Sequence, residues 1–143
     1  MTTQPAHIAR APDSRNEVHD KRRQIIPDEH AEQSWLMQWC HAQSAAMPSL
    51  KLLYAIPNGD LRHPRVAAKL KAEGVSPGVP DLCLPVARGA YHGLYIEMKR
   101  RKGGVVSPHQ RAWMDFLRRE GYRAEVCAGW EVARDVLVEY LRS

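Results

Sequence analysis

No apolar run in this sequence approaches the ~20 residues of a membrane span, and the polar N-terminus has no apolar signal core. These absences set the expectation of a cytoplasmic chain with neither a membrane-spanning helix nor a secretory leader. Cysteine is scarce. Cys40, Cys83 and Cys127 are odd in number, widely spaced and set among apolar neighbours. They lack zinc-like spacing and read as buried thiols in a reducing compartment. The histidines, from His7 to His109, contain no HxH or HxxxH pair, which excludes a histidine-rich metal site. There is no internal repeat and no sign of a small-molecule cofactor motif. The 143 residues suffice for one domain with a core and not for two.

What the sequence does have is an excess of positive charge. The formal net charge is +5 and the pI about 9.3, which favours a polyanionic partner. Residues 1–26 are poor in large apolar side chains and end in Lys21-Arg22-Arg23, so they read as a flexible basic arm. Such an arm either tracks phosphates or is simply a solvated tail. The rest, 27–143, reads as a single domain.

Helix and strand signals follow in order. A helix is expected over 28–46, opened by Asp28 and Glu29 at its positive end and stopped by Pro48. Its apolar stripe is Trp35, Leu36, Trp39 and Cys40. Glu32 lies on that stripe, where a carboxylate is costly unless paired, cation-bound or wetted at the edge. Leu50 to Ile56 is a strand candidate, and Pro57-Asn58-Gly59 is a turn signal. A basic helix starts near His63-Pro64, carrying Arg65, Lys69 and Lys71 just after Arg62. It is either a solvated surface helix or a phosphate-facing one. Ser107-Pro108 opens a helix that ends at Gly121, with Trp113, Phe116 and Leu117 as its expected core face and Gln110 also pointing inward. A strand from Tyr122 to Cys127 and a helix from Trp130 to Leu141 complete the chain. The order implies an α/β fold with a central mixed β-sheet flanked by helices.

The stretch from Gly78 to Lys102 organises the rest. Two strands, Gly78–Pro85 and Gly93–Lys102, join through a turn at Arg88-Gly89. Alternation puts Leu94, Ile96 and Met98 on one face and Tyr95, Glu97 and Lys99 on the other. A hairpin register can bring Asp81 beside Glu97. Two close carboxylates repel unless a cation separates them, and a hard ion such as Mg²⁺ takes one or two carboxylates with several waters. The backbone carbonyl of Met98 can supply another oxygen. Lys99 can position or help deprotonate a water, or neutralise charge on a phosphate, and Gln110 can hydrogen-bond the water or the lysine. Glu32 can complete the acidic set. The bland alternative is a surface Glu–Lys pair and a turn-capping aspartate.

Pro80-Asp81, fifteen intervening residues, then Glu97-Met98-Lys99 resembles the PD-(D/E)XK nuclease signature. The wider run resembles the stand-alone phage or bacterial type of the VRR-Nuc family: Pro57-Asn58-Gly59, Gly78 to Leu82, Gly93 to Lys99, Ser107-Pro108-His109-Gln110, then Gly121-Tyr122. The resemblance implies a restriction-endonuclease-like αβββαβ core with one helix inserted after the first strand. It implies Mg²⁺- or Mn²⁺-dependent endonuclease cleavage of DNA, with Asp81, Glu97, Lys99, Gln110 and Glu32 as active site. Asp81, Glu97, Glu32 and the Met98 carbonyl are the implied metal ligands. Glu29, one helical turn from Glu32, is an alternative to it. Asp60 departs from the family pattern, where a glycine or small residue is usual. Arg62, Arg65, Lys69, Arg100, Arg101 and Lys102 are candidate DNA contacts. Relatives of this type act as homodimers on branched DNA, including Holliday junctions, in bacterial or phage-infected cells. The rival readings are a catalytically silent DNA-binding module, a flap or duplex nuclease, and a restriction enzyme. The last is disfavoured because little chain is left to read bases.

Overall fold

Asp28 starts the first helix by accepting a hydrogen bond from the Ala31 N–H at 2.8 Å, which satisfies one of the donors that a helix start leaves unpaired. The computed structural model describes residues 25–57 and 63–143. The basic triplet Lys21-Arg22-Arg23, the turn residues Asn58-Gly59 and Arg62 lie outside the described residues. Helix α1 spans Glu29–Gln43, three residues short of the expected end. Its buried line is Glu32, Leu36 and Cys40, spaced by four as one helix face requires. Trp35 is 41% exposed and stays out of the core, a correction to the expected stripe, and Trp39 packs at the core's edge.

The expected strand Leu50 to Ile56 is mostly something else. Pro48–Leu52 winds into a 3₁₀ turn, and strand β1 is only Tyr54–Ala55. Leu50 and Leu53 are both buried, and a three-residue spacing brings side chains to one side of a 3₁₀ turn. Helix α2, Pro64–Ala72, begins where expected but buries none of its residues.

Strands β2, Leu82–Leu84, and β3, Leu94–Lys99, pair antiparallel, with Leu82 opposite Ile96 and Leu84 opposite Leu94. Helix α3, Pro108–Arg119, crosses over to β4, Arg123–Ala128, which runs parallel to β3. Helix α4, Trp130–Arg142, closes the chain. The sheet order is β1-β2-β3-β4. Among the described residues the architecture is α/β, a mixed four-stranded sheet with four helices, with α2 inserted after the first strand.

Helices cover both faces of β3. Leu94, Ile96 and Met98 pack with Leu36 and Cys40 of α1 and Leu137 and Tyr140 of α4. Each large apolar side chain so buried contributes roughly 1.5–3 kcal/mol. On the opposite face Met114 and Leu117 of α3 pack with Ala124, Tyr95 and Tyr122. Met114 takes the core place expected for Phe116, which is 53% exposed. Phe116 sits about 100° round the helix from Leu117 and so leaves the buried face. Because α3 covers this side of the sheet, Glu97 and Lys99 are buried rather than wetted. Among the described residues no helix is long and apolar enough to cross a membrane.

Candidate active site

The β2–β3 register, continued one step past Leu82 and Ile96, sets Asp81 opposite Glu97. The ladder stops there, so the Met98 N–H is available to a side chain, and it donates to Asp81 Oδ2 at 2.7 Å. That bond fixes the Asp81 carboxylate against the strand carrying Glu97. The backbone of Asp81 is held from the other side, its carbonyl accepting from the Ile56 N–H at 2.8 Å. Gly78 brings this segment in close. Its φ is +86°, and a Cβ there would lie 2.6 Å from the His109 backbone, so only glycine lets the chain pass over the start of α3.

Glu97 is 1% exposed, and Lys99 donates to its Oε1 at 2.9 Å. Gln110 Nε2 donates to the same oxygen. The orientation of Gln110 has a local cause. Ser107 caps α3, its hydroxyl accepting from the Gln110 N–H, while Gln110 Oε1 accepts from the Ser107 N–H at 2.8 Å. With its oxygen tied to the cap, the amide can only aim its nitrogen at Glu97. The sequence Ser-Pro-His-Gln is therefore both a helix start and a carboxylate clamp.

Glu97 Oε2 is buried and has no hydrogen-bond partner among the described residues. Burial, with the Asp81 charge added, pushes the Glu97 carboxyl up to about 7 against the pull of Lys99. Burial lowers the Lys99 ammonium, but the hydrogen bond and charge of Glu97, with Glu29 and Asp81 behind, outweigh it and hold the group above its ordinary value. Lys99 is thus a fixed cation at neutral pH. Gly104 permits this crowding, since a Cβ there would lie 2.9 Å from Lys99 Cβ.

The two acids of α1 have different partners. Glu29 reaches Lys99 Nζ at 3.5 Å. Glu32, 0% exposed, instead accepts from Arg101 Nε at 2.7 Å and from the Trp130 N–H, at the start of α4, at 2.8 Å. Arg101 also pairs with Glu131 at 2.6 Å. The structure ties Glu32 to Arg101 rather than to Asp81 and Glu97, and Arg101 is engaged by two carboxylates. The node joins α1, the segment after β3 and the positive end of α4.

Arg65, Lys69, Arg100 and Lys102 are exposed. Lys69 lies 3.8 Å from Glu73, and Arg100 donates to the Gly103 carbonyl at 3.2 Å. Arg100 follows Lys99 directly and Lys102 lies three residues beyond it, in the loop that leaves β3.

Among the described residues no three His, Cys, Asp or Glu side chains form a metal cage. The pair Asp81 and Glu97 nevertheless fits a hard divalent cation. Its donors are carboxylate oxygens, one of them buried and unpartnered, and ions of the Mg²⁺ class take one or two carboxylates and keep waters. Such a pair beside a buried lysine can bind a cation and face an anionic substrate.

The model of the VRR-NUC domain family matches residues 14–131. A solved structure described as a VRR_NUC domain protein is similar, with a TM-score of 0.70 at 33% sequence identity, over 82% of this chain and 90% of that one. No curated protein matches the sequence.

Proposed function

The chain belongs to the VRR-NUC domain family, a nuclease domain of the PD-(D/E)XK type with a restriction-endonuclease-like core, and from that premise we propose a Mg²⁺- or Mn²⁺-dependent endonuclease that hydrolyses phosphodiesters in branched DNA. The observation that carries it is the buried, unpartnered oxygen of Glu97 opposite Asp81, with Lys99 fixed beside it. The stand-alone phage or bacterial type and a homodimer belong to the same proposal. A dimer sets two cutting sites at one separation, which suits paired cuts across a four-way junction.

Asp81 and Glu97 would hold the cation, with the Met98 carbonyl beside them. A divalent cation there supplies charge withdrawal from the phosphoryl oxygens and acidifies water. Gln110 keeps Glu97 in the ligating orientation. Lys99, charged and unable to take a proton, donates to the attacking water or to the oxygen on which negative charge builds. Glu29 balances Lys99 from α1. Arg65, Lys69, Arg100 and Lys102 contact phosphates along the strand, adding salt-dependent affinity.

The test is a labelled four-way junction, a flap and a plain duplex, each in Mg²⁺, Mn²⁺ or EDTA. Junction cutting at least about tenfold faster than duplex cutting, and none in EDTA, is expected. Cutting of the flap or duplex instead would keep the nuclease and remove the junction preference. Tight binding with no cutting of any substrate would favour a silent module.

Glu29 and Glu32 separate by measurement. Glu29 is half-exposed, so Glu29→Gln should melt within about 2 °C of the parent chain. It should cut at least about tenfold more slowly. Glu32→Ala removes charged hydrogen bonds and leaves the Trp130 amide unpaired, for a loss of roughly 3 kcal/mol or about 10 °C in melting. Below its transition it should still cut. A Glu32→Ala protein that melts normally and fails to cut would return Glu32 to the cation site.

A further inference from the structure

The outer side of α3 carries an aromatic surface outside the cation site: Phe116 is exposed, and Trp113, half-buried, packs partly against Met114, Leu117 and Ala124. Among the described residues, Ala112, Trp113 and Phe116 line a groove of about 280 Å³. Phe116 is 53% exposed, and the Arg119 guanidinium lies over its ring at 5.9 Å. The same helix carries Gln110, the clamp on Glu97. With a rise of 1.5 Å per residue, Phe116 stands about 9 Å along the helix axis from Gln110.

We propose that Phe116 and Trp113, with Arg119, stack an unpaired nucleobase of the substrate beside the cutting site, an inference that rests on the nuclease reading. Two observations favour a base over a protein partner. The first is the surroundings. Arg111, Asp115, Arg118, Arg119 and Glu120 are exposed around it, and charged residues are depleted from the cores of protein interfaces. The second is chemistry. An exposed ring with a guanidinium over it is what single-stranded nucleic-acid sites use, because every base has a π-face. A base captured at this position also offers a physical reason for preferring branched DNA, since a pair at a branch point opens at lower cost than one stacked inside a continuous duplex.

The experiment uses Phe116→Leu and Phe116→Trp in a Lys99→Ala background, which keeps the DNA uncut. The probes are a four-way junction carrying 2-aminopurine at the branch point and a plain duplex of equal length. Phe116→Leu keeps apolar bulk and removes the π-face. It should weaken junction binding about tenfold, duplex binding by no more than about twofold, and the 2-aminopurine quenching on binding, while Phe116→Trp should restore all three. Equal loss on both probes, or unchanged quenching in Phe116→Leu, would overturn the shelf and leave the nuclease intact. So would a change from dimer to monomer in sedimentation, which would make the groove a contact between copies. Failure of the chain with Phe116 intact to bind either probe would overturn the nuclease reading and the shelf with it.

Discussion

Lys99→Met should lower the single-turnover cutting rate about a thousandfold while the protein binds Mn²⁺ more tightly than before. The two effects come from one geometry. Lys99 is 6% exposed, 2.9 Å from Glu97 Oε1 and 3.5 Å from Glu29, and its charge is held on by those acids. A preorganised donor aimed at developing charge in a water-poor site contributes about 10²–10³ in rate, and a full cation belongs at the upper end. The same cation repels a metal ion placed between Asp81 and Glu97. Across several ångströms of partly wet protein that repulsion is on the order of 1 kcal/mol, so removing it should tighten Mn²⁺ binding several-fold at a pH high enough to keep Glu97 ionised without Lys99. A merely structural lysine would show the reverse pattern, with weaker metal binding and proportionate unfolding. Lys99→Arg should recover little, because a planar fork does not replace a point charge in a packed position. Unchanged cutting by Lys99→Met would remove Lys99 from the mechanism.

Much of this site is legible in the sequence because its geometry is local. The alternation of Leu94, Ile96 and Met98 settles which way Glu97 and Lys99 face, and a short hairpin leaves few registers that could set Asp81 anywhere but opposite Glu97. Helix phase brings Gln110 inward for the same reason. Locality fails elsewhere. Glu29 and Glu32 lie nearly on one helix face, and phase alone puts the second among the buried residues, as it is. What decides its role is Arg101, 69 positions along the chain, and nothing near either residue records that pairing. Arg101 sits in a basic run that looks like a phosphate arm, and only the fold shows that it neutralises buried charge. Phe116 is a similar case. An aromatic residue beside Trp113 and Leu117 looks like core, but α3 is buried along a narrower face through Met114 and Leu117. The run Leu50 to Ile56 is apolar enough for a strand or a tight helix, and periodicity does not separate them over so short a length.

In EDTA the protein should lose stability as pH rises from about 5 to 8, and Mg²⁺ should restore it more at the upper end. Glu97 has an ordinary carboxyl value of 4.5 and a folded value of about 7, raised by burial and then by Asp81. Between those values the folded chain holds a proton that the unfolded chain has released. The contribution is therefore fully present below about 4.5, falls across the window and is gone above about 7, for a total of roughly 3 kcal/mol. For a chain of this size that is about 10 °C in melting temperature. Lys99 does not mask it, because the stability its raised value confers is lost only at alkaline pH. Glu131, held below its ordinary value, loses its contribution only at acid pH. A divalent cation binds the ionised pair and not the protonated one. Its stabilisation grows with the ratio of free ion to dissociation constant, so the Mg²⁺ shift should be small at pH 5.5 and several degrees at pH 8. Glu97→Gln carries no charge to desolvate and offers no anionic ligand. It should flatten the EDTA profile, melt above the parent chain at pH 8 without metal, and lose the Mg²⁺ shift and cutting together. An EDTA profile that Glu97→Gln leaves unchanged, or a Mg²⁺ shift that survives in it, would move the cation site away from Glu97. Placing a carboxylate where the fold resists its charge leaves the protein less stable without the ion, and a cation that neutralises the pair removes that cost as it binds.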